Sequence, residues 1–140
     1  MALWRVYYHV IWATKERQPF ITAELEPELY GYITGKAQAL GCILHAIGGI
    51  ENHIHLAVSI PPKLSIAEFV KNIKGSSTYH LNHNLAHPIG TFGWQYGYGV
   101  FSLGGKQLDH AVAYVKNQKT HHQEGSIISM LEQDCNEKDS

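Results

Sequence analysis

Cysteine is scarce in this chain, with two in 140 residues. Cys42 sits in an apolar run and Cys135 in a polar tail, so a disulfide is not expected and no zinc-type spacing exists. Long hydrophobic runs are missing as well: nothing approaches the roughly 18 apolar residues that a membrane-spanning helix requires. The N-terminus runs directly into Met1-Ala2-Leu3-Trp4-Arg5, without the apolar core and cleavage site of an export signal. A cytoplasmic, reducing location is the expectation. Charge of one sign is also lacking. At net −1 and 16% charged residues, nothing global advertises a nucleic-acid or membrane surface. With 44% hydrophobic residues the chain can bury a core and does not read as disordered. Repeats, low-complexity tracts and linkers are absent, so residues 1–125 read as one domain and 126–140 as a polar, acidic tail.

What is present is organised around Glu51-Asn52-His53-Ile54-His55-Leu56-Ala57-Val58-Ser59-Ile60. The alternation is that of a half-buried strand, with Ile54, Leu56, Val58 and Ile60 on one face and His53, His55, Ala57 and Ser59 on a polar, solvent-side one. Before it, Leu3–Thr14 is rich in β-branched and aromatic residues and reads as a central strand, ended by Lys15-Glu16-Arg17-Gln18-Pro19. Thr22 offers an N-cap to a helix carrying Leu25, Leu29, Tyr32, Ile33 and Leu40, with Gly41 as its stop. Cys42–Ile47 is a second strand, and Gly48-Gly49 with Glu51-Asn52 allows a reversal into the histidine strand. Ser65 and Glu68 form a capping box for a helix bearing Ile66, Phe69, Val70 and Ile73, weakened at Gly75-Ser76-Ser77. His87-Pro88 and Gly90 mark a loop. Trp94–Phe101 is an aromatic strand, Gly104-Gly105 a flexible link, and Lys106–His121 a last helix with Leu108, Val112 and Val115 inward. The order strand, helix, strand, strand, helix, strand is the ferredoxin-like plan: an α+β fold whose antiparallel four-stranded sheet is backed by helices. An extra C-terminal helix follows.

Two imidazoles two residues apart on one strand point the same way, roughly 6–7 Å apart, and can share an ion. On its own this pattern is also that of an ordinary polar sheet face. Tyr114 and Gln118, four apart in the last helix, share a face, as packing and surface residues commonly do. His110 and His121 fall on the same stripe, and either could assist a proton transfer. Lys63, Lys71, Lys74, Lys116 and Lys119 are candidates for phosphate contacts within a segment, 53–122, that holds six lysines against two acidic groups. Each could equally be solvated surface. Trp94, Tyr96 and Tyr98 could stack on bases or belong to the core.

Taken together, Glu-Asn-His-Ile-His-Leu, Lys71-Asn72-Ile73-Lys74-Gly75-Ser76-Ser77, Trp94 to Tyr98 and Tyr114 to Gln118 resemble the HUH single-tyrosine transposases of small insertion sequences, with the REP-associated tyrosine transposases as close relatives. The resemblance covers nearly the whole chain. It implies a transposase that cleaves and rejoins single-stranded DNA containing a hairpin, through a covalent 5′-phosphotyrosine. Tyr114 would be the nucleophile. His53, His55 and the Gln118 carbonyl would hold a divalent metal ion, Mg²⁺ or Mn²⁺. The active unit would be a homodimer in which the tyrosine helix is supplied in trans, with no membrane association. The residue before the first histidine, often acidic in that family, is Asn52 here, so the outer shell of the metal is expected to differ. A domesticated, non-catalytic DNA-hairpin-binding protein of the same fold is the alternative.

Overall fold

The computed structural model describes residues 3–83 and 91–124. Strands β1 (Tyr7–Ala13), β2 (Ile43–Ile50), β3 (His53–Ser59) and β4 (Gly99–Leu103) form one antiparallel sheet in the order β2-β3-β1-β4. Helices α1 (Glu26–Ala39) and α2 (Ile66–His83) supply the two crossovers of the ferredoxin-like plan, and α3 (Leu108–Lys116) and α4 (Gln118–Glu124) follow the last strand. The expected loop at His87-Pro88 and the tail at 126–140 lie outside the described residues.

One face of the sheet makes the main core. Val10, Trp12, Ile54, Leu56 and Val58 pack with Leu29, Ile33 and Ala37 of α1 and with Phe69, Val70, Ile73 and Leu81 of α2, all buried. The apolar half of the β3 alternation therefore does what the sequence implies. Gly41, at φ 82°, stops α1 in the left-handed conformation, with the Cys42 amide donating to the Ala37 carbonyl at 3.0 Å. Ser65 caps α2 through a 3.0 Å bond from the Glu68 amide. Thr22 caps a preliminary turn, not α1 itself: the Leu25 amide donates to its Oγ1 at 3.2 Å, and the helix begins at Glu26.

Several boundaries differ from the sequence expectation. β1 is shorter than Leu3–Thr14. Thr14 leaves the ladder to bridge Trp94, and its hydroxyl donates to the Gln18 and Asn52 carbonyls. The turn that follows holds Glu16 and Arg17 at φ 54° and 53°, fixed by Glu16 N–H donating to Gln95 Oε1 at 2.8 Å. α2 runs unbroken through Gly75-Ser76-Ser77, because Ser76 and Ser77 bond the carbonyls of Asn72 and Ile73 and Ser77 Oγ accepts the Trp94 indole N–H at 2.9 Å. Trp94 is thus an anchor against Trp12 and Phe92, and the fourth strand starts only at Gly99. The last helix is two helices, parted at Asn117 where φ/ψ of −104°/27° leaves the helical region.

The largest correction concerns Gly48 and Gly49. They lie inside β2, and the reversal uses Glu51-Asn52 alone. Gly48 faces His55 across the ladder, on the sheet face opposite the main core, and α3 rests directly on it. A Cβ there would stand 2.0 Å from the Val115 carbonyl oxygen. Ala46 and Ala57 share this face and pack with Val115 and Val112. Small side chains on the sheet let the helix backbone approach. Gly48→Ala is accordingly expected to lift α3 and to lower stability by about 2–3 kcal/mol. Denaturant unfolding, with hydrogen exchange of residues 108–116, checks this; an unchanged melt would mean α3 docks elsewhere.

Candidate active site

The polar face of β3 is not open to solvent. All of His53–Ser59 is buried, with His55 0% and His53 4% exposed, because α3 and α4 cover that side. In an antiparallel ladder His55 stands opposite Ile11 and Ala57 opposite His9, so His9 and His55 are diagonal neighbours on the same face. Their rings stack at 4.9 Å, and His9 Nε2 lies 2.7 Å from His55 Nδ1. His9 is fully buried. No spacing in the sequence links it to His53 and His55, although it is the one histidine within the apolar run of β1.

His53 Nδ1 lies 2.8 Å from Asn52 Oδ1. An amide oxygen can only accept, so this contact places the proton on Nδ1 and leaves Nε2 with the lone pair. Asn52, the residue before the first histidine, thus fixes the orientation of the His53 ring. The rings of His53 and His55 are 5.0 Å apart, and that of His122 stands 4.9 Å from His53. One ring nitrogen from each of His53, His55 and His122 falls within 4.8 Å of the others. This three-histidine group can hold a metal ion, and neutral imidazoles are suited to one. His122 joins the group through the helix alone, one turn beyond Gln118.

Gln118 is the first residue of α4 and is 1% exposed. Its Oε1 lies 3.1 Å from His122 Nε2, and its Nε2 donates to the Tyr114 carbonyl at 3.3 Å. Tyr114 is 2% exposed, with its ring edge-on to His55 at 5.9 Å and to His9 at 6.4 Å. His121 stacks on it at 4.6 Å. His110, placed on the same stripe by sequence, is exposed. The fold brings Tyr114, His53, His55 and Gln118 into one buried neighbourhood between sheet and C-terminal helices.

A profile of the family described as Transposase IS200 like matches residues 2–118. The chain belongs to the IS200-like transposase family. Among curated proteins, the transposase for insertion sequence element IS200 of Salmonella typhimurium is 26% identical over 142 residues, covering 91% of this chain and 86% of its own length. The ISDra2 transposase TnpA of Deinococcus radiodurans is 29% identical over 75 residues, 54% of each chain. A solved Deinococcus radiodurans R1 structure described as a transposase superposes with a TM-score of 0.63 at 27% identity, covering 84% of this chain and 93% of that one. The REP-associated tyrosine transposase, solved bound to a REP hairpin, superposes with a TM-score of 0.64. At 14% identity over 91% of this chain and 76% of that one, it speaks for the fold. The four-stranded α+β architecture is that of the IS200-like transposases.

The five lysines are not one patch on this transposase fold. Lys71 and Lys74 line a cleft of about 420 Å³ with Ala67, Val70, Tyr96 and Tyr98. Lys116 and Lys119 line another of about 260 Å³ beside Gly48 and Gly49. Lys63 is exposed after β3. Lys74 turns inward, donating to the Gln95 carbonyl at 2.9 Å and to that of Gly97, beneath the Trp12 ring. Lys119 pairs with Glu26 at 2.7 Å. Tyr96 is 69% exposed, the one member of the aromatic trio open enough to meet a base.

Proposed function

We propose that this transposase cleaves and rejoins single-stranded DNA through Tyr114, with His53, His55 and Gln118 holding a divalent ion, Mg²⁺ or Mn²⁺. The observation that carries the reading is the convergence of Tyr114 with the histidine group in one buried site of a transposase fold. When bound, the ion offsets the charge of the phosphodiester and polarises its P–O bond. Tyr114 Oη forms the new bond to phosphorus. The P–O3′ bond breaks, and the leaving oxygen takes a proton to become a free 3′-OH. The strand stays attached through a 5′-phosphotyrosine, whose ester energy is kept for rejoining without ATP. The phenol, with an ordinary pKa of about 10, must lose its proton as it attacks. In this reading His121, whose ring lies 4.6 Å from that of Tyr114, receives that proton once it turns toward the phenol and, as an imidazolium, returns one.

Asn52 holds the His53 ring so that Nε2 points to the shared centre. The substrate is a single strand containing a hairpin, the active unit is a homodimer exchanging its tyrosine helices through the Gly104-Gly105 link, and the work is done in the cytoplasm. No helix among the described residues is long and apolar enough to cross a membrane. The test is incubation with Mn²⁺ and labelled single-stranded DNA from the gene's own flanks, read as a covalent band on a denaturing gel. A band lost with EDTA supports the reading; DNA bound in a native gel with no covalent band would sink the chemistry and leave a binding protein.

Phosphate contacts are assigned first to Lys71 and Lys63, two of the four exposed lysines of the set. Lys71→Ala is expected to weaken DNA binding about threefold and to lower the salt slope by about 0.7, as one lost phosphate contact does on a single strand. Lys74→Ala is expected to act on the fold instead, since it frees the 95–97 carbonyls. Fluorescence anisotropy at several salt concentrations, beside a thermal melt, separates the two. An unchanged slope for Lys71→Ala would remove it from the interface.

A further inference from the structure

His122 is unused by the chemistry above, and yet it is one of the three imidazoles gathered at the site. From this placement we infer that His122 is a further ligand beside Gln118, and that it makes the site prefer a first-row transition ion to Mg²⁺. The inference rests on the reading that this site holds a divalent ion.

Three observations carry it. The nitrogens of His53, His55 and His122 lie within 4.8 Å of one another, although they come from a strand and from a helix about seventy residues away. Three nitrogens each about 2.1 Å from a common ion stand roughly 3–3.6 Å apart, so the group closes on an ion when its rings draw together by up to roughly 1–2 Å. Next, Gln118 Oε1 and His122 Nε2 stand 3.1 Å apart. Ligands on neighbouring positions of an octahedral ion, each at about 2.1 Å, are separated by about 3 Å. The same spacing is a hydrogen bond when His122 Nε2 carries the proton, and a pair of adjacent ligands when the proton sits on Nδ1. Finally, the break at Asn117 starts a new helix at Gln118, which sets Gln118 and His122 one turn apart on a common face over β3.

The consequence is a change in ion preference. Mg²⁺ is a hard cation that takes oxygen ligands and keeps several waters. Three imidazoles and one amide oxygen form a nitrogen-rich set, which favours manganese weakly and cobalt, nickel or zinc more strongly, in the usual order of affinities. With His122 included, the site is poorly matched to magnesium; with only two imidazoles and an amide, magnesium would compete well.

The experiment is calorimetric titration of the full chain with Mn²⁺, Co²⁺ and Mg²⁺, in wild type, His122→Ala and His121→Ala, with pulsed EPR of bound Mn²⁺ to count coupled nitrogens. Wild type is expected to bind Mn²⁺ at least about tenfold more tightly than Mg²⁺ and to show three imidazole nitrogens. His122→Ala is expected to lose about tenfold for Mn²⁺ and more for Co²⁺, to keep its Mg²⁺ affinity within about twofold, and to show two nitrogens. His121→Ala should keep all three affinities. If His122→Ala does not fold, His122→Gln removes the imidazole while keeping a polar side chain, and is read the same way. A side chain that merely clamps Gln118 would weaken all ions alike and leave the nitrogen count at two throughout, which overturns the inference alone. No ion bound by wild type would overturn the divalent-ion reading itself.

Discussion

Tyr114→Phe is expected to leave no covalent protein–DNA product and to reduce strand cleavage by at least about 10³-fold, to background. The substitution removes one oxygen and keeps the ring. That ring is what the fold uses: it packs edge-on to His9 and His55 and face-on to His121, and it is almost wholly buried. Stability should therefore fall by only about 1 kcal/mol, as the loss of one buried hydroxyl does, and affinity for single-stranded DNA should stay within about threefold. The clean separation of binding from chemistry is the strength of this variant. Retained cleavage without a covalent adduct would mean that water is the nucleophile, and the tyrosine would revert to a packing residue. The burial adds a condition on the wild type. A phosphate cannot reach a phenol that is 2% exposed unless the packing around that ring opens locally.

The sequence was most legible where burial follows a simple period. The apolar side of β3, the stop at Gly41 and the cap at Ser65 all come from local rules, and all three appear in the structure. The four strands and two crossover helices follow from the same rules, whereas the family is legible only as a resemblance carried by the motifs at His53–His55, Lys71–Ser77, Trp94–Tyr98 and Tyr114–Gln118 taken together. Legibility failed where a third layer covers the sheet. The alternation of His53, His55, Ala57 and Ser59 with apolar residues reads as a wet face, because a strand cannot tell its own sequence what packs on its polar side. The signal for a covering helix was in β2, where Gly48 matches a helix backbone at van der Waals range, but two adjacent glycines read more readily as a turn. The break at Asn117 uses neither proline nor glycine, so nothing in the sequence marks it. His9 and His122 were hidden for a related reason. Each belongs to the site only through a diagonal across the sheet or through one further helical turn, and neither relation can be read before the register is known.

The second large effect concerns the two strand histidines, which are expected to part company in stability while agreeing in activity. His53→Ala and His55→Ala should each lower cleavage by about 10²–10³-fold, since each removes an imidazole from the proposed ion site. His53 stands at the end of β3 beside the turn, with Asn52 as its partner, and its loss should cost about 1 kcal/mol. His55 is fully buried in the middle of the sheet, between His9 and Tyr114. Its removal leaves a cavity and breaks the 2.7 Å bond to His9 in a layer with little water, a combination that costs about 2–4 kcal/mol. The expectation of an open polar face would have both variants fold like wild type, so urea unfolding decides between the two pictures. The pairing with His9 supplies an internal check. His9→Phe alone should destabilise the protein, yet its cost should shrink by about 1 kcal/mol or more in a His55→Ala background, because the shared bond is already gone. Full additivity would show that the two rings are only neighbours. A His53→Ala protein that folds, binds DNA and still cleaves would remove that histidine from the ion site altogether.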